Sequence, residues 1–119
     1  MTSDYARGRR FEYSVRENLI RHGATNVMRS PMSRGPWDIR CDFTGPAGDV
    51  YPAYIQCKAN KTGYVPPLEW NALYDTATAR GGLALVAFKT PTHRITYRLI
   101  EGHKVTGKRK QPWTEWELT

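Results

Sequence analysis

Leu83-Ala84-Leu85-Val86-Ala87-Phe88 is an unbroken apolar run of strand length, set between Gly81-Gly82 and Lys89. A strand that is apolar on both faces needs a covering layer on each side, so this run predicts a central strand in a sheet flanked by other elements. Two helical patterns supply candidates for those layers. From about Ser3 to His22, Phe11, Val15 and Leu19 recur every four residues, Thr2 or Ser3 can cap the start, and Gly23 can close the end in a left-handed turn. Pro66-Pro67 opens a second pattern that runs through Leu68, Trp70, Leu73 and Ala77 to Arg80, with Gly81-Gly82 as its stop.

The remaining elements read as strands. Asn26 to Arg29 is a short one, followed by a loop from Ser30 to Gly35. Trp37 to Phe43 alternates, with Trp37, Ile39, Cys41 and Phe43 on one face and Asp38, Arg40 and Asp42 on the other. Val50 to Lys58 places Ala53, Ile55 and Cys57 on one face and Tyr54, Gln56 and Lys58 on the other, and the short turn from Thr44 to Asp49 makes the two an antiparallel hairpin. Arg94 to Ile100 alternates as the last strand of the core, and Trp113 and Trp116 mark a candidate edge strand or subunit contact. The order α-β-β-β-α-β-β gives an α/β fold, a mixed central sheet flanked by helices. At 119 residues the chain is read as one domain, with a core of about residues 3–100 and a basic tail over 101–119.

Charge points to the partner. Lys and Arg number 18 against 11 Asp and Glu, a net +7, the balance of a protein that meets a polyanion. Arg7, Arg9, Arg10, Arg16, Arg21, Arg29 and Arg34 crowd the first third, while Lys104, Lys108, Arg109 and Lys110 crowd the tail, so the cations form two blocks rather than an even coat. With no apolar run near the roughly 20 residues of a membrane span and no charged-then-apolar leader, no membrane association is expected and the location is read as cytoplasmic. Cys41 and Cys57 lie inside strands without Cys-x-x-Cys spacing, which disfavours a zinc site and predicts reduced thiols. His22, His93 and His103 have no paired spacing and are read as surface or helix-end residues, and Trp70, Trp113 and Trp116 as packing.

The candidate chemistry lies in the hairpin. An acid at the start of one strand, Asp38, and a polar-x-Lys at the end of the next, Gln56-Cys57-Lys58, can form an oxygen-ligand metal site beside an ammonium. Asp38 would bind or bridge Mg²⁺, Glu12 would contribute from the first helix, the Cys57 carbonyl would add a neutral oxygen, and Lys58 would hold an attacking water or a scissile phosphate. The register is a test of this idea. A symmetric loop would set Asp38 opposite Ile55, on the wrong face for Gln56, so the site requires a one-residue offset, for which Gly45, Pro46 and Gly48 offer the means. The plain alternatives are an ion pair of Glu12 with Arg16 one helical turn on, a turn-capping role for Asp38, and an ordinary strand-end Lys58.

These residues carry a resemblance. Arg7-Gly8-Arg9-Arg10-Phe11-Glu12, then Val27-Met28-Arg29-Ser30-Pro31-Met32-Ser33-Arg34-Gly35, then Trp37-Asp38-Ile39 and Ile55-Gln56-Cys57-Lys58, together resemble the archaeal-type Holliday junction resolvases of the PD-(D/E)xK nuclease superfamily. The likeness extends from about Arg7 to Lys89. It implies a restriction-endonuclease-like α-β-β-β-α-β core and a homodimeric, Mg²⁺-dependent endonuclease, with Mn²⁺ as a substitute ion, acting on four-way DNA junctions in recombination and repair. Glu12, Asp38, Gln56 and Lys58 fall on the family's catalytic positions, with Glu12, Asp38, Gln56 and Cys57 toward the metal. Arg29 and Ser33 fall on positions associated with junction phosphates, and Arg7, Arg9, Arg10, Arg34 and Lys61 extend the expected DNA surface. The sequence leaves open whether the chain is encoded by a cell or a virus.

The departure is Gln56, where the family pattern has a carboxylate. An amide oxygen can ligate a metal but carries no charge, so weaker Mg²⁺ binding is expected. Three readings remain open: a tolerated Gln ligand, with Asp42 on the same strand face as a possible recruit, a catalytically weakened junction binder, or a deliberate Glu-to-Gln change. Another PD-(D/E)xK endonuclease would share every one of these residues.

Overall fold

The computed structural model of the chain describes residues 4–31, 35–60, 62–92 and 94–118. Its elements are α1 (Asp4–Arg21), β1 (Thr25–Arg29), β2 (Ile39–Thr44), β3 (Val50–Lys58), α2 (Pro67–Ala79), β4 (Leu83–Lys89), β5 (Ile95–Ile100) and β6 (Trp113–Trp116). The strands form one sheet in the order β1-β2-β3-β4-β5-β6, with β3 and β4 parallel and every other neighbouring pair antiparallel. The parallel pair follows from α2, whose crossover returns the chain to the same end of the sheet.

The apolar run lies where its composition requires. Ala84, Leu85, Val86, Ala87 and Phe88 are all buried, and successive residues feed opposite cores. Leu85 and Ala87 join Phe11, Val15 and Leu19 of α1 with Ile39, Cys41, Ala53 and Ile55 beneath that helix. Ala84 and Val86 join Trp70, Leu73 and Ala77 of α2 with Tyr54 and Val65. The sheet coils far enough that Trp116 of β6 meets Phe43 of β2, with ring centroids 5.0 Å apart. Both helices stop at left-handed glycines, Gly23 (φ +90°) and Gly81 (φ +67°).

One face assignment is corrected. β2 begins at Ile39, not Trp37. Trp37 precedes the ladder and packs on the α2 side, edge-on to Tyr54 with centroids 5.8 Å apart, so strand alternation does not apply to it. The tail is docked as well. Trp70 Nε1 donates to the Gly102 carbonyl at 2.8 Å, the Lys104 amide donates to Asn71 Oδ1 at 2.8 Å, and Lys104 Nζ donates to the Val65 carbonyl, before β6 joins the edge of β5. No helix among the described residues is long and apolar enough to cross a membrane.

Gly82 joins α2 to β4 under a tight constraint. A Cβ there would lie 2.5 Å from the Pro52 carbonyl oxygen, a backbone atom that cannot rotate away. Gly82→Ala is therefore expected to cost about 1–3 kcal/mol, seen as a lower urea midpoint with an unchanged slope. A midpoint equal to that of the parent would contradict this packing.

Candidate active site

The β2–β3 hairpin has the offset that a site at Asp38 requires. Ile39 pairs with Ile55, Arg40 with Tyr54 and Thr44 with Val50, one residue beyond the register of a symmetric loop. The cause is a five-residue turn from Gly45 to Asp49. It is closed by the Gly45 amide donating to the Asp49 carbonyl at 2.7 Å and the Gly48 amide donating to the Gly45 carbonyl at 2.9 Å. Gly48 sits at φ +84°, a conformation that a residue with a Cβ rarely adopts. Asp38 lies one residue before this ladder, and its amide donates to the Ile55 carbonyl at 2.8 Å. Asp38 Oδ2 in turn accepts the Cys57 amide proton at 2.7 Å. Asp38 and the Gln56–Lys58 segment thus meet at one end of the sheet, with Lys58 turned toward α2.

Glu12 reaches the same end from α1 on the opposite face. The Glu12–Arg16 pair does not form, because Arg16 contacts Glu17 at 3.6 Å and Glu12 turns instead to Arg29, with Oε2 3.7 Å from Nη2. Arg29, at the end of β1, also lies over the Tyr13 ring at 4.9 Å, and its Nε is buried with no hydrogen-bond partner among the described residues. Such an orphaned donor is costly and calls for an acceptor. Asp42 is not recruited. It pairs with Arg40 at 3.3 Å and accepts a hydrogen bond from Asn26 Nδ2 at 2.9 Å, further along the strand.

Electrostatics link the two acids. Burial raises the pKa of Asp38 above its ordinary value, and the Cys57 amide and Lys58 oppose the shift only in part. Glu12 is raised first by burial and then by the charge of Asp38 itself, against the lowering pull of Arg29. Both carboxylates are held in a place where negative charge is undersupplied with compensation. Burial also pushes the Cys57 thiol well above its usual range, so Cys57 can offer its carbonyl but not a thiolate. The Gln56 side chain makes no hydrogen bond among the described residues.

Sequence reasoning missed Glu69. In the first turn of α2, its Oε2 accepts a hydrogen bond from Lys58 Nζ at 3.0 Å. An acid in a first turn is ordinarily explained by the helix dipole alone, which is why it drew no attention. Of the expected DNA contacts, Arg7, Arg9 and Arg10 are exposed on α1, with the Arg9 guanidinium 6.0 Å from the Tyr13 ring centroid. Ser33, Arg34 and Lys61 lie outside the described residues.

No protein-family model matches the chain, and no curated protein is detectably similar to it in sequence. A solved structure is similar. The Holliday junction resolvase Hjc of the archaeal hyperthermophile Archaeoglobus fulgidus superposes with a TM-score of 0.60, covering 91% of this chain and 88% of that chain at 24% identity. The chain has the fold of a Holliday junction resolvase. Within that resolvase fold the six-stranded mixed sheet and its two helices bring Glu12, Asp38, Gln56 and Lys58 to a common sheet end, while Glu69 joins them from α2.

Proposed function

We propose that the chain is a metal-dependent, structure-selective endonuclease that resolves four-way DNA junctions as an intracellular homodimer. The observation that carries this reading is the offset hairpin register, which puts Asp38 beside Gln56-Cys57-Lys58 with Glu12 in electrostatic reach. The resolvase fold and the net +7 charge support the choice of substrate. A four-way junction has two-fold symmetry, which a two-fold dimer matches with two equivalent sites.

The donor set fits a hard divalent cation in kind. Asp38 retains one carboxylate oxygen not engaged by the Cys57 amide, and Glu12, the Gln56 amide and the Cys57 carbonyl offer further oxygens. The raised pKa values of the two acids support the same fit, since a cation would relieve both. Mg²⁺, with Mn²⁺ as substitute, would supply charge neutralisation at the phosphorus and a more acidic water. The chain's own groups do the rest. Lys58 presents its ammonium to the attacking water or the scissile phosphate, and Arg29, released from Glu12, offers Nε and Nη2 to a neighbouring phosphate. Hydrolysis places the water's hydroxyl on phosphorus and its proton on the departing sugar oxygen.

A second reading has its own observation. Among the described residues no group of three or more His, Cys, Asp or Glu side chains is arranged to hold a metal. A junction-binding protein with weakened turnover would have such a site. Cleavage mapping separates the readings: paired nicks of like polarity near the crossover support a resolvase, and cuts at a fixed sequence in linear duplex favour another endonuclease. Uncut but tightly bound junction favours the binder.

Binding is expected to be strongly salt-dependent in either case. For about six phosphate contacts, affinity should fall roughly 10³-fold between about 50 and 200 mM salt. Fluorescence anisotropy with a labelled junction measures this, and a flat salt response would remove the phosphate-contact account.

A further inference from the structure

We infer that Glu69 provides the carboxylate that Gln56 lacks, positioning the Lys58 ammonium and adding the negative charge the site needs. This rests on the nuclease reading above and deepens it. The charge count motivates it. Glu12 and Asp38 face Arg29 and Lys58, a formally neutral set that is poorly suited to a dication, and Gln56 adds nothing. Glu69 leaves the set with one net negative charge, and two once Arg29 turns to a phosphate.

The geometry favours a built contact over a chance surface pair. Pro66 (φ −59°) and Pro67 fix the start of α2, and the Trp70 amide donates to the Pro66 carbonyl at 2.9 Å. Trp70, next to Glu69 in sequence, is buried, and its indole is tied to Gly102 at 2.8 Å. The backbone carrying Glu69 is therefore anchored on both sides, although the side chain itself is 48% exposed. Lys58 is only 20% exposed, and its partner ladder holds it opposite Phe88 of β4. One of its three N–H donors goes to Glu69, which leaves two for water or phosphate. Glu69 acts through Lys58 and the local field, as a positioning residue.

The test uses the full chain and four proteins: the parent, Glu69→Gln, Gln56→Glu and the double exchange. Single-turnover cleavage of a labelled four-way junction is followed across Mg²⁺ concentration, with junction affinity in EDTA and thermal midpoint measured alongside. Glu69→Gln should lose about a hundredfold in rate and need more Mg²⁺, with affinity and midpoint unchanged. The double exchange should recover most of that loss, which a merely structural role for Glu69 would not allow. Parent-like cleavage by Glu69→Gln, or no recovery in the double exchange, overturns the inference. So does an inert parent beside an active Gln56→Glu protein, since nothing would then be compensating for Gln56, while the nuclease reading would stand. If neither the parent nor Gln56→Glu binds or cuts junctions, the nuclease reading fails and takes this inference with it.

Discussion

Asp38→Asn is expected to abolish junction cleavage while making the protein more stable at neutral pH. Asparagine is close to isosteric and can still accept the Cys57 amide proton that Asp38 Oδ2 accepts at 2.7 Å, so the hairpin is preserved. What disappears is a charge that burial disfavours. The sign of the stability effect follows from linkage. The folded-state pKa of Asp38 is raised, so its protonated form is favoured by folding. That contribution is fully present below the unfolded value, about pH 4, and is lost as pH rises through the folded value. At pH 7 the parent carries this cost and the variant does not. The thermal midpoint of Asp38→Asn should exceed that of the parent at pH 7, and the gap should close as pH falls toward about 4. Cleavage should fall by a factor on the order of 10³, about 4 kcal/mol of transition-state stabilisation. Junction affinity in EDTA should hold or increase, because a negative charge near the phosphates is gone. A destabilised but active variant would contradict both halves of the account.

Leu85→Ala should give the largest loss of stability of any single truncation in the sheet. Leu85 is fully buried at the centre of β4, paired with Ile55 on one side and Leu99 on the other, beneath the α1 core. Removing its methyl groups forfeits transfer energy and leaves a cavity that two strands and a helix cannot readily close, for a cost of about 2–5 kcal/mol. For a domain of this size the thermal midpoint should drop by roughly 10 °C or more. The same truncation at Leu68, which is 86% exposed, should move the midpoint little. Equal effects at the two positions would mean that the packing described here is wrong.

Much of this molecule is legible in its residues because the decisive signals are local. The Leu83–Phe88 run demands two covering layers, the Phe11-Val15-Leu19 stripe faces one core, and Pro66-Pro67 with Gly81-Gly82 bracket the second helix. The hairpin offset was legible only as a requirement. Which of Gly45 and Gly48 takes the left-handed turn decides it, and sequence leaves that choice open. Trp37 went to the other face because alternation holds only inside a hydrogen-bonded ladder, and the ladder starts two residues later. Alternation read from the sequence puts Asp42 on the face of Asp38, but its carboxylate is taken by Arg40 and Asn26. Glu69 and the docking of the tail on α2 depend on contacts between distant segments, Lys58 with Glu69 and Trp70 with Gly102, that no periodicity encodes.

The central claim is that this sheet end hydrolyses junction DNA even though Gln56 carries no charge. The parent chain incubated with a labelled four-way junction, with Mg²⁺ and in a parallel reaction with EDTA, tests it most directly. The account predicts paired nicks near the crossover in Mg²⁺ and intact, bound junction in EDTA. Junction that stays intact in Mg²⁺ at protein concentrations that bind it fully would contradict the claim.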